Sequence, residues 1–125
     1  MRNSEDKMVK TNSLGHIVKV QQVMDFMVLT ELRHGRRYGK QLDLMITKSL
    51  GGVGVNDSYL AQRLKVLAEK GHVKSQWESD NRFNRFYEIT DSGNEYLEQL
   101  KRDLPERVEI ALKVYKRFEA FMNQS

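Results

Sequence analysis

A chain of 125 residues with 39% hydrophobic residues and no cysteine is long enough for one domain with a modest core and too short for two. The lack of cysteine excludes disulfides and thiolate metal sites. No apolar run approaches the ~18 residues of a membrane span, and the polar opening MRNSEDKMVKTNS has no signal-peptide pattern. With 21 Lys and Arg against 17 Asp and Glu, the net charge of +4 favours an anionic partner.

Residues 1–14 are polar and aperiodic, which predicts a flexible arm. Apolar residues then crowd from Ile17 to Leu32, densely enough for a first core helix buried on most of its circumference. The run Arg33-His34-Gly35-Arg36-Arg37 breaks it. Tyr38-Gly39 opens a second helix, from Lys40 to about Leu50, with Leu42, Met45 and Ile46 inward. Gly51-Gly52-Val53-Gly54 reads as a turn between helices. No strand precedes these glycines and no Lys-Ser/Thr pair follows them, so they do not make a nucleotide-binding loop.

The stretch from Val55 to Thr90 carries the most information. Leu60, Leu64, Leu67 and Gly71 fall on one helical stripe, with Asn56 or Asp57 as the N-cap and Gly71 as the stop. The opposite face presents Ser58, Gln62, Lys65 and Glu69, flanked by Tyr59, Arg63 and Val66. From Val73 the residues alternate, with Val73, Ser75 and Trp77 on one side and Lys74, Gln76 and Glu78 on the other. Arg85 to Thr90 is again rich in aromatic and β-branched residues. A hairpin with the polar tip Ser79–Asn84 follows from this. An amphipathic helix, a glycine stop and an arginine-bearing hairpin form the order of a winged helix-turn-helix: mainly α, with a small β-hairpin wing.

Beyond the hairpin, Thr90 caps a helix carrying Tyr96, Leu97 and Leu100 inward. Pro105 predicts a break there, with Asp103 capping a separate last helix and the proline in its first turn. In that last helix Leu104, Val108, Ala111, Tyr115, Phe118 and Met122 form one apolar strip, while Ile110, Val114 and Phe121 form a second. One strip can lie on the domain. The other then pairs with a second copy of the same helix, unless the first helix covers both. The candidate dimer contacts are Leu104, Val108, Ala111, Leu112, Tyr115, Phe118, Phe121 and Met122. The domain organisation that follows is an arm (1–14), a winged helix-turn-helix (15–102) and a dimerisation helix (103–125).

Several of these pieces together resemble one family. Tyr38-Gly39 with Gln41-Leu42, Leu60 with Leu64, and Leu67-Ala68-Glu69-Lys70-Gly71-His72-Val73 are followed by Trp77 and by Arg85-Phe86-Tyr87-Glu88-Ile89-Thr90-Asp91-Ser92-Gly93. This combination resembles the PadR-type winged-helix regulators over roughly residues 20–100, and the last helix is similar to the dimerisation helix of the family's shorter members. The resemblance implies a homodimeric, sequence-specific double-stranded-DNA-binding transcriptional regulator, in the first instance a repressor. Tyr59 precedes Leu60, where the family's tyrosine usually follows the first leucine. The last helix has no tryptophan on which the drug-binding members stack ligands, so multidrug sensing is not implied.

For such a dimer the candidate DNA contacts are Asn56, Ser58, Tyr59, Gln62, Arg63 and Lys65 on the third helix, with Gln62 matched to adenine and Arg63 to guanine or phosphate. Lys74, Arg82, Asn84 and Arg85 on the wing, together with Lys40, complete the set. The expected location is the cytoplasm, on the nucleoid and away from membranes. The same fold also serves plasmid or chromosome segregation, coating a partition site and recruiting a partner protein, or blocks replication as a terminator. A third reading is an interaction adaptor that binds no DNA. No enzyme is expected. His16, His34 and His72 sit in unrelated segments without metal-ligand spacing, no serine stands in a nucleophile context, and no cofactor is implied.

Overall fold

The computed structural model describes residues 13–78 and 81–124, with backbone alone for residues 81–84. A short 3-10 turn, Leu14–His16, leads to α1, Val20–Leu32. Next come β1 (Arg37–Tyr38), α2 (Gly39–Ser49), α3 (Asp57–Glu69), β2 (Val73–Glu78), β3 (Asn81–Ile89) and α4 (Asp91–Asn123). The three strands form one antiparallel sheet in the order β1-β3-β2. This is a winged helix-turn-helix with one long terminal helix.

The core forms where the apolar stripes of the three short helices meet the root of the wing. Met24, Val28, Leu29 and Leu32 of α1 pack with Leu42 and Ile46 of α2, Leu60, Leu64 and Leu67 of α3, Val73 of β2 and Leu97 of α4. The leucine spacing of α3 puts all three of its leucines in this cluster. Asn56 Oδ1 accepts from the Tyr59 N–H at 2.8 Å, which starts α3, and Gly71 ends its turn at a φ of 79°. Gly51 and Gly52 between α2 and α3 also take positive φ, the conformation that glycine permits without strain.

Two expectations need correction, and one strand is added. The first helix begins at Val20 rather than Ile17; Ile17 is buried but lies ahead of the first helical turn. Strand β1 was not legible, because two residues cannot show an alternation, and Arg37 and Tyr38 are strand only through pairing with Tyr87 and Phe86. Pro105 does not divide the terminal helix, which runs unbroken over 33 residues. A proline inside a helix removes one hydrogen bond and crowds the carbonyl four residues earlier. Packing on both sides of it offsets that loss. Leu97, Leu100 and Leu104 are buried before or beside it, and beyond it Arg107 reaches the carbonyls of His16 and Ile17 at 3.5 and 3.4 Å.

The start of α4 is fastened to the α3–β2 connection. Thr90 Oγ1 donates to the Gly71 carbonyl at 2.6 Å and accepts from the Gly93 N–H at 3.1 Å, and the Thr90 N–H donates to the His72 carbonyl at 3.2 Å. One threonine thus caps α4 and ties it to the exit of α3. His72 stacks on Tyr96, with ring centroids 4.8 Å apart, and its Nδ1 lies 2.6 Å from Ser92 Oγ.

Candidate nucleic-acid interface

The face of α3 that points away from the core presents Ser58, Ala61, Gln62, Lys65 and Glu69 to solvent. The N-terminus of α3 adds the positive end of the helix dipole, which suits an anionic ligand. Lys40, exposed at the start of α2, lines a shallow depression with Asp43, Asp57 and Ala61 at that same end. Ser58, Gln62 and Lys65 therefore share one exposed face of α3, and Lys40 lies beside the start of that helix. Tyr59 does not join them, because it is half-buried against the core. Asn56 is exposed, and its side chain is used in the α3 cap.

Arg63 is a correction. Its Nε and Nη2 donate to the two carboxylate oxygens of Asp25 at 3.0 and 2.8 Å, and its side chain is only 12% exposed. A guanidinium held by both ends in this way is not offered to a base edge. Position 63 falls between the buried positions 60, 64 and 67, so it lies on the flank of the apolar stripe rather than opposite it. Asp25 is fully buried, and Tyr96 Oη donates to its Oδ2 at 2.8 Å. One carboxylate therefore joins α1, α3 and α4. The Asp25 hydrogen bond raises the pKa of the Arg63 guanidinium against the opposing effect of burial, and burial followed by the same carboxylate pushes the Tyr96 phenol up. Sequence reasoning missed Asp25, although a carboxylate inside Met24-Asp25-Phe26, in the middle of an apolar helix, is the signal that marks it.

On the wing, Val73, Ser75 and Trp77 pair with Ile89, Tyr87 and Arg85, so these six share one face of the sheet. Val73 belongs to the core, which makes this the face turned toward α3. The Arg85 guanidinium lies 4.3 Å from the centroid of the Trp77 ring, and Trp77 is half-exposed. Lys74 pairs with Glu88 on the opposite face, away from α3, and does not join the other candidates. The backbone of Arg82 and Asn84 lies in β3, which begins at Asn81, earlier than the polar composition suggests. Their side chains lie outside the described residues, as does most of the 1–14 arm. Among the described residues no cluster of three or more His, Asp or Glu is placed to hold a metal, and no helix is long and apolar enough to cross a membrane.

Residues 28–99, from the middle of α1 to the early turns of α4, match the transcriptional regulator PadR-like family. That match covers more than half of the chain. The chain belongs to the PadR-like family of transcriptional regulators. Solved structures share the fold. A transcriptional regulator from Clostridium thermocellum aligns over 79% of this chain and 92% of its own, at 24% identity and a TM-score of 0.63. A PadR family regulator from Eggerthella lenta aligns over 90% and 96%, at 19% identity and a TM-score of 0.63. Bacillus subtilis PadR, solved in complex with operator DNA, aligns over 62% of this chain and 46% of its own, at 24% identity and a TM-score of 0.54. No curated protein matches the chain by sequence.

In this PadR-like chain the terminal helix reaches well past the domain. Over 33 residues it is about 50 Å long. Val108, Leu112, Tyr115, Phe118 and Met122 are exposed along its distal half, spaced so that they fall on one stripe, and Phe121 is exposed beside them. Ala111, Ile110 and Val114 are half-buried. Leu104, counted with the exposed strip on sequence grounds, is buried within its own chain and leaves that strip.

Proposed function

We propose that this PadR-like regulator acts in the cytoplasm as a symmetric homodimer that binds operator DNA and represses transcription. It lays α3 of each protomer into successive major grooves about one turn apart and sets the wings on the flanking backbone. The observation that carries this reading is the capped α3, whose polar face stands free beside an arginine-bearing wing on a chain of this family. Gln62 reads a base, with adenine as its best partner. Ser58, Lys65, Lys40, Arg82 and Arg85 hold phosphates. Bacillus subtilis PadR, which shares the fold, was solved in complex with operator DNA, and this supports operator DNA as the ligand class. Family membership favours a regulator over a segregation protein or an adaptor.

Duplexes selected from a random-sequence pool, titrated at two salt concentrations, test the proposal. Binding is expected to weaken steeply with salt. Gln62→Ala is expected to lose about 1–3 kcal/mol on the selected site and to relax the preference at one base pair. Equal affinity for selected and random duplexes would refute base readout by α3.

The dimer rests on the exposed stripe of α4. A self-complementary two-fold pairing buries Leu112, Tyr115 and Phe118 against their own copies, and the domain of the same chain does not cover them. The doubly charged variant Leu112→Asp/Phe118→Asp is expected to sediment as a monomer with an unchanged far-ultraviolet spectrum and to bind a single half-site only. A variant that stays dimeric would move the interface elsewhere.

A further inference from the structure

Trp77 is the only tryptophan of the chain and is 51% exposed. A large aromatic ring gains much by burial, and this one stands half in water on the side of the wing turned toward α3, where it is open to a partner. From the core outward, the α3-facing side of the wing reads Val73 with Ile89, then Ser75 with Tyr87, then Trp77 with Arg85. Between this face and α3 lies an open cleft of about 520 Å³ bounded by Ala61, Lys65 and Ala68 on one wall and by Ser75, Arg85 and Tyr87 on the other. Among the described residues that line it, Glu69 is the one acid. Arg85 lies over the indole at 4.3 Å, and that stacking restricts where its guanidinium can point.

We propose that this cleft seats one sugar–phosphate strand of duplex DNA, with Trp77 as a direct contact of its own. The inference rests on the operator-binding reading above and adds a residue and a substructure to it. A helix in the major groove and a wing on the flanking groove leave one backbone strand to pass between them. Lys65, Arg85 and the Ser75 hydroxyl supply phosphate donors on either side of that path. The indole lies against the apolar face of a deoxyribose, which carries no sequence information and fixes register. The lining sets Lys65 on the α3 wall and Arg85 on the wing wall against one acid, Glu69, a charge balance that favours a phosphate strand. The Arg85–Trp77 pair is thus a preformed clamp: the ring orders the guanidinium before the strand arrives.

The single tryptophan makes the test direct. On titration of the wild-type chain with a selected two-half-site duplex, its fluorescence is expected to change and to saturate together with the anisotropy of labelled DNA. Trp77→Ala is expected to bind about tenfold more weakly, a loss in the range of one cation–π or ring contact, with its melting temperature close to wild type. Trp77→Phe is expected to recover most of that loss. In a double-mutant cycle with Arg85→Ala the losses should be non-additive, because the two side chains act as one unit. Normal duplex binding with unchanged tryptophan fluorescence and unchanged Trp77→Ala affinity would overturn the clamp while leaving operator binding intact. Failure of the wild-type chain to bind any duplex would instead overturn the operator reading on which it rests.

Discussion

Asp25→Ala is expected to destabilise the domain by about 3–5 kcal/mol, which for a chain of this size lowers the melting temperature by roughly 10–20 °C. The size follows from what is left behind. Asp25 is fully buried and takes both guanidinium bonds of Arg63 and the hydroxyl of Tyr96. Without it a nearly buried cation loses its counter-charge and a half-buried phenol loses its acceptor. The net contribution of the whole cluster is much smaller, because desolvating the pair offsets most of its attraction. Asp25→Leu combined with Arg63→Met and Tyr96→Phe is therefore expected to melt within about 2 kcal/mol of wild type. Chemical denaturation of the single and triple variants checks both. A single variant as stable as wild type would mean that water reaches Arg63 and that the cluster is not a buried one.

Gly93→Ala is expected to be the second most damaging single change, costing roughly 3 kcal/mol, the upper end of what one added methyl does to a packed site. A Cβ at position 93 would stand 2.1 Å from the His72 carbonyl oxygen and 2.8 Å from Ile89 Cγ1. The carbonyl is backbone and cannot swing aside, since it also accepts the Thr90 N–H. The first turn of α4 would have to lift off the α3–β2 connection and weaken the Thr90 bonds with it. Gly39→Ala is the matched comparison. No heavy atom lies within 4 Å of its added Cβ and its φ is not positive, so it should be neutral or slightly stabilising. Thermal melts of the two alanine variants, recorded side by side, separate steric demand from the general effect of removing a glycine. Equal melting temperatures would refute the close-approach account of Gly93.

The pattern Thr90-x-x-Gly93 was visible in the chain as a helix start, but its two ends do different work. Thr90 is a cap that any sequence reading finds from residue type. Gly93 is required by a contact with residue 72, some twenty positions away, which no local rule reveals. The same division runs through α3. The leucine spacing placed its buried face and its polar face, yet Arg63 sits on the boundary between them, and its direction depended on whether an acid waited across the interface. Asp25 supplied that acid from another helix. Pro105 failed as a helix breaker for a related reason: local chemistry disfavours it, while packing of Leu97, Leu100 and Leu104 carries the helix through.

Short-range periodicity, capping residues and glycine stops by themselves determined three short helices, a hairpin wing and an apolar terminal helix in the right order, because each of these signals acts within a few residues. The joined motifs of the chain resemble the PadR-like family, to which the match over residues 28–99 assigns it. Only the tertiary structure decided that Arg63 turns inward to Asp25, that Tyr59 packs against the core, that Lys74 lies on the far side of the sheet, and that Trp77 shares a face with Arg85 beside α3. These depend on pairing register and on which helix faces which. Such distances join residues far apart in the chain, and a charge or a ring takes its role from the partner it meets there.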